Sequence, residues 1–338
     1  MSNKLESFYN TELLSEIKGL EHRRQEVKKK IAYCFFIPLA VFFLLSLYSQ
    51  VWDFFLGGIF FSAFCAAFLS THVKRSYVNL FKERVITKLI AFVSDDLKYD
   101  YMNFISQKAF EDSCLFVYPR IDKYIGEDYV AGKIGKTEIA FSEIHARYKK
   151  VSYDTEGRRK TSWYDIFKGL FFVIDFNKKF HSRVIIKPSA LGMIGKKIQL
   201  LIKNAHIIKL ENAEFDKQFT VYGTDQQDAR YILTPKLIER LLELNKEIAE
   251  KKVKNNKFMQ FLNKKGISFD GNSSQFSLSF INSQLNIAVP HSKNLFQPRI
   301  WGDEVVKKED IEEYYDYLIL IKEIVEILDL NTRIWTKE

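Results

Sequence analysis

The chain has 338 residues, 47% of them hydrophobic and 15% aromatic, which excludes a disordered chain and leaves room for more than one structural unit. Its formal net charge of +9 suits an anionic partner, either a lipid surface or nucleic acid, and the distribution of the charge has to choose between them. The three cysteines provide no disulfide framework, as expected for a reducing compartment.

In chain order, residues 1–30 read as an amphipathic helix, with Leu13, Ile17, Leu20 and Val27 forming an apolar stripe and Arg24 at its skipped position. Ile31 to Val73 then contains no Lys or Arg, and Asp53 is its only carboxylate. A bilayer core takes about 20 apolar residues per helix. The stretch is too long for one span, so we read a transmembrane hairpin over 31–72, with spans at about 31–49 and 54–71 broken by "SQVWD". Gly58, Ser62 and Ala66 recur at four-residue spacing, a small-residue stripe suited to close packing on the first span or on another subunit. Pro38 is expected to kink the first span. Residues 73–99 repeat the amphipathic pattern with Val78, Phe81, Val85, Leu89 and Phe92, so the two arms should pair as a short stalk.

Basic residues flank the hairpin on both sides and are missing from its turn, which by the positive-inside rule leaves both termini cytoplasmic in a multi-pass membrane protein. Arg23, Arg24, Lys28, Lys29 and Lys30 before the spans, with Lys74 and Arg75 after them, are the expected contacts to lipid headgroups.

From about residue 100 the period shortens. Residues 100–338 read as a cytoplasmic α+β domain of antiparallel strands and helices. "KTEIAFSEIHARYKKVSY" alternates, "TEGRRKTS" is a polar hairpin tip, and "IFKGLFFVIDF" is apolar throughout, as a central strand buried on both faces would be. "SRVIIKP" and "HIIKLEN" continue the sheet, and the alternations Phe276/Leu278/Phe280 and Leu285/Ile287/Val289 bracket a turn at Asn282–Gln284. A last helix, about Lys308 to Leu328, places Ile311, Tyr315, Leu318 and Val325 on one face.

"TDQQDARYILTP" concentrates polar residues. Thr224 with Gln227 has the spacing of a capping box, and Thr234 before Pro235 opens the following helix. The rival reading is a hydrolase-like site using Asp225, Asp228 and Arg230, with His181 brought near by folding. The tip residues Arg158, Arg159, Lys160 and Trp163 could meet an anion, a lipid or nucleic-acid phosphate, or a partner's acidic patch. "GMIGKK" and "GKIGK" lack phosphate-loop spacing, the six histidines are scattered, and no GxSxG appears, so no pattern calls for a cofactor or a metal.

"YGTDQQDARYILTP", with "GKIGKTEIAFSEIHARYK" and "GRRKTSWYDIFKGLFFVIDFNKKF", resembles a bacterial membrane-protein family, domain of unknown function 3137, sometimes mislabelled galanin. The resemblance runs from about Asp100 to Arg299 and implies a two-span N-terminus and a cytoplasmic domain. It implies no activity. "LGMIGKKIQ" and "KVKNNKFMQFLNKKG" depart from the family's pattern as insertions. The expected function is therefore a non-enzymatic bacterial inner-membrane protein that binds a partner protein or scaffolds a membrane-associated assembly, with membrane lipid and a second copy of itself as further expected partners, the tethered hydrolase and the anion-binding module as alternatives, and nucleic acid the less favoured anion.

Overall fold

The computed structural model describes residues 3–176, 179–189, 204–254, 276–291 and 294–327. The "LGMIGKKIQ" stretch, most of "KVKNNKFMQFLNKKG" and residues 177–178 of "GRRKTSWYDIFKGLFFVIDFNKKF" lie outside the described residues. The chain divides into two compact units, Met1–Phe92 with Leu295–Tyr315, and Val93–Asn294 with Asp316–Glu338.

The first unit is built on two long helices, Lys4–Ser49 and Asp53–Val93, each long and apolar enough to cross a membrane. Gln50, in the left-handed region at φ 53°, ends the first, and Gln50–Trp52 make the connection. Pro38 lies within the first helix, which continues through it. The small-residue stripe packs on the first helix: a Cβ on Gly58 would come within 2.3 Å of the Phe42 Cβ, and Ser62 is fully buried. Each arm also contains a five-residue π-helical turn, Tyr9–Leu13 and Lys82–Ile86. Leu13, Leu20, Phe81, Val85 and Leu89 are buried where the arms meet, and Lys88 Nζ pairs with Glu16 Oε1 at 2.9 Å.

Leu295–Tyr315 folds back on these arms, although the shortened period alone assigns it to the C-terminal domain. The reason is Arg24, only 1% exposed, which donates to the Gly302 carbonyl at 2.9 Å and to that of Asp303 at 2.7 Å.

The second unit is an α+β fold around one nine-stranded antiparallel sheet. Its strands are β1 (Leu97–Asp100), β2 (Lys123–Ile134), β3 (Thr137–Tyr153), β4 (Arg159–Asp175), β5 (Val184–Pro188), β6 (His206–Ile208), β7 (Phe219–Gly223), β8 (Ser277–Ile281) and β9 (Gln284–Pro290). They lie in the order β1-β2-β3-β4-β9-β8-β5-β7-β6. The apolar run of β4 is central: Leu170, Phe171, Phe172 and Ile174 are buried, covering both faces of the strand. Phe110 and Phe116 stack at 4.7 Å and close over Phe167 and Phe171 on one face, while Phe141 meets Phe172 on the other. The predicted turn after β8 is two residues, Asn282 and Ser283, both with positive φ, the conformation whose twist suits a tight hairpin.

Candidate functional site

β3 and β4 are the longest strands, and their neighbours are shorter. β2 pairs with β3 as far as Arg147, and β9 pairs with β4 only from Gly169 onward. Beyond those points the hairpin continues as a two-stranded ribbon, from Arg147/Asp165 to Tyr153/Arg159, with no further strand on either edge among the described residues. Two local features set its departure from the sheet. The register shifts between Ala146 and Arg147, a bulge that bends the ribbon. Gly169, at φ 153°, lies so close to β9 that a Cβ there would sit 2.2 Å from the Val289 carbonyl.

Register decides which side chains share a face. Lys149, Val151, Tyr153, Arg159, Thr161 and Trp163 lie on one side, and Tyr148, Lys150, Ser152, Lys160, Ser162 and Tyr164 on the other. Tyr148 and Tyr164 stack at 5.3 Å, and the Arg147 guanidinium lies over Trp163 at 5.4 Å. Asp165 pairs with His145 at 2.8 Å and Arg147 at 3.1 Å, and the His145 hydrogen bond holds its carboxyl below the usual range. Asp154 shapes the tip by accepting from the Glu156 and Arg158 amides, with Gly157 at φ 75°. Arg158 pairs with Glu156, while Arg159 and Lys160 are exposed. Arg147, Lys149, Lys150, Arg158, Arg159 and Lys160 outnumber Asp154, Glu156 and Asp165, leaving the ribbon basic. Tyr153 is 70% exposed, Trp163 41% and Tyr164 44%, so the ribbon presents aromatic and cationic groups together.

The polar stretch after β7 is built differently from the expected box. The helix is Gln226–Ile232, and its N-cap is Asp225, whose Oδ1 accepts from the Asp228 amide at 2.7 Å. Thr224 therefore sits one position too early to cap. Its hydroxyl instead accepts from the Arg183 amide at 3.2 Å, tying the end of β7 to the start of β5. Gln227 is exposed within the first turn. Thr234 does cap the next helix, accepting from the Leu237 amide at 3.3 Å with Pro235 at the first position.

Asp228 Oδ2 accepts from the Ser182 amide at 3.1 Å, which brings it beside exposed His181 in the chain. Arg230 points away to Glu211 at 3.1 Å. Asp225 is exposed and engaged as a cap. These four residues thus hold three separate structural positions.

Among the expected headgroup contacts, Arg24 is withdrawn. It is buried with its guanidinium spent on Glu21, Gly302 and Asp303. Lys28 reaches the Gly302 carbonyl at 3.1 Å, and Arg23 pairs with Glu26 at 2.9 Å. Lys29, Lys30 and Arg75 are exposed, and Lys74 is half-buried.

Two further groups escape a reading of the sequence. Glu127, Asp128 and Glu143 bring carboxylate oxygens within 4.8 Å of one another, a donor set suited to a divalent cation. The cross-strand register Glu127↔Glu143 and a left-handed Asp128 at a bulge create it, and the Tyr99 hydroxyl donates to Asp128. Lys187, on β5, is 6% exposed, with its ammonium 4.9 Å from the centre of the Phe116 ring. Burial pushes its pKa down to about 7. The only sequence signal for it is a lysine directly after Val184, Ile185 and Ile186.

No curated protein and no solved structure matches the chain. A family model described as "Protein of unknown function (DUF3137)" matches it in two overlapping segments, residues 165–272 and 252–330. The match runs past Arg299 into the last helix and leaves out "GKIGKTEIAFSEIHARYK" on β2 and β3. Residues 165–330, which hold β4 from Asp165 onward and every later strand, thus carry the domain of unknown function DUF3137.

Proposed function

We propose that this protein is a membrane-anchored partner-binding module: the helical hairpin holds it in a bacterial inner membrane, and the β3–β4 ribbon captures a protein with an acidic, extended segment. The observation that carries the reading is the ribbon itself, basic and aromatic, with no further strand on either edge among the described residues and only Arg147 and Lys149 tied by backbone bonds to Asp122. Such edges accept an added strand through backbone hydrogen bonds, while Trp163, Tyr153 and the surrounding cations supply pockets and charge.

Support for the anchor is the distribution of apolar surface. Exposed large apolar residues are concentrated from Tyr33 to Phe68, and the most apolar windows of the two helices are only 6% and 18% buried. A soluble protein would bury such helices or suffer aggregation. The basic flanks favour both termini on the cytoplasmic side.

The test is photocrosslinking from Thr161 in the full chain, expressed in bacterial cells, compared with the triple variant R158E/R159E/K160E. A defined protein adduct lost in the variant supports the reading. Adducts of equal intensity, or adducts to nucleic acid that fall steeply with salt, reject it.

A further inference from the structure

We propose that the cleft between the two arms is a binding site for a phosphate anion, with a phospholipid headgroup as the ligand that fits its position. The proposal rests on the membrane-anchored reading above. The cleft, about 800 Å³, lies wholly within the first unit. Its walls come from the arm before the first span, through Arg23 and Lys30, and from the arm after the second, through His72, Arg75, Ser76 and Tyr77. Lys30 and His72 are the residues immediately outside the apolar run that begins at Ile31 and ends with Thr71. The cleft is therefore set at the boundary where a bilayer places its phosphates, with apolar helix surface continuing from it for acyl chains.

Its charge suits an anion. Two carboxylates also line it: Glu26 is held by Arg23 at 2.9 Å and His22 at 3.3 Å, and Glu83 stands exposed on the wall. Arg75 has no ion-pair or hydrogen-bond partner among the described residues, and its planar fork matches two phosphate oxygens. Lys30 adds a point charge from the opposite wall, and Ser76 adds a hydroxyl donor.

The experiment uses the full chain in lipid nanodiscs, reading bound lipid by native mass spectrometry after release into mild detergent. Discs of phosphatidylcholine alone are compared with discs containing about a third phosphatidylglycerol. We expect wild type to retain the anionic lipid over the zwitterionic one by at least tenfold, and K30E/R75E to lose that preference. K4E/K18E, an equal charge change on exposed residues outside the cleft, should keep it. Excess glycerol phosphate or inorganic phosphate that displaces the lipid identifies the phosphate alone as the ligand. Failure of these to displace it assigns the site to the lipid.

No anionic preference in wild type, or equal loss in K4E/K18E, overturns the proposal. Because wild-type retention needs no variant, misfolding of K30E/R75E cannot rescue it. Entry of the chain into phosphatidylcholine discs tests the anchor separately, so the two readings fail independently.

Discussion

The guanidinium of Arg24 donates to the carbonyl of Gly302 at 2.9 Å, so a residue of the N-terminal arm fastens a segment close to the C-terminus. The same group bonds Asp303 and Glu21, so none of its charge is left uncompensated. Replacing it by alanine strands two carbonyls and a carboxylate. The expected loss is about 2–4 kcal/mol, with lysine a poor substitute because it cannot span three acceptors. Thermal unfolding of R24A and R24K in detergent checks this. Desolvation raises the Glu21 carboxyl, but hydrogen bonds from Arg24 and Gln25 outweigh it and leave the pKa below its usual value. A depressed carboxylate stabilises above its unfolded pKa, so this contribution should fade only as the pH falls below about 4.5.

The cap after β7 offers a sharper comparison. D225A removes the acceptor of the Asp228 amide and should cost about 1 kcal/mol. Q227A should change stability by less than about 0.5 kcal/mol, because Gln227 is exposed and caps nothing. Urea midpoints of the two variants distinguish this arrangement from a Thr224 box, which predicts losses in both.

That one-residue shift shows what a sequence carries and what it omits. Long-range patterns were legible: the apolar hairpin, the two arm stripes, the buried run of β4 and the β8–β9 hairpin all follow from periodicity read over many residues. The cap was not, because Thr, Asp and Asn are near-equal N-caps and the choice fell to Arg183, whose amide claims the Thr224 hydroxyl from another strand. "FTVYG" became a strand for the same reason: β5 and β6 pair with it, and five residues cannot announce that alone. The exposed ribbon tip was foreseen, but the lack of a further strand on either of its edges depends on where β2 and β9 stop.

Lys187 makes a prediction with a clear sign. Its pKa falls to about 7 in the fold from an ordinary value of 10.5, so the unfolded chain holds the proton more tightly between those values. Stability should therefore rise with pH from about 7 toward 10.5, and below 7 the full cost of burying the charge is felt. K187M keeps the apolar stem and removes the charge. It should stabilise the protein by about 1–4 kcal/mol at pH 6, with the gain shrinking as the pH approaches 10. Paired melting curves at the two pH values decide it.

Gly169 should tolerate no side chain. At φ 153°, with the Val289 carbonyl 2.2 Å from a modest Cβ, G169A forces β4 and β9 apart. The expected cost is about 2–4 kcal/mol, seen as a lowered unfolding midpoint.

The ribbon tip should behave in the opposite way. R158E/R159E/K160E alters exposed residues, so the melting temperature should shift by the equivalent of less than about 0.5 kcal/mol while partner capture is lost. A large fall in stability would mean that the tip is packed rather than presented.

The strand order has a consequence for biosynthesis. β4 carries the longest apolar run of the sheet, Leu170 to Ile174, and its second neighbour, β9, is translated only after residue 283. During synthesis the β1–β4 meander must wait with Leu170 to Ile174 along an open edge, ready to pair with another nascent copy. A chain halted before β8 would keep that edge for good. Premature termination in this protein thus threatens insolubility more than simple loss of its last helix, and prompt completion of the C-terminal strands is what closes the sheet.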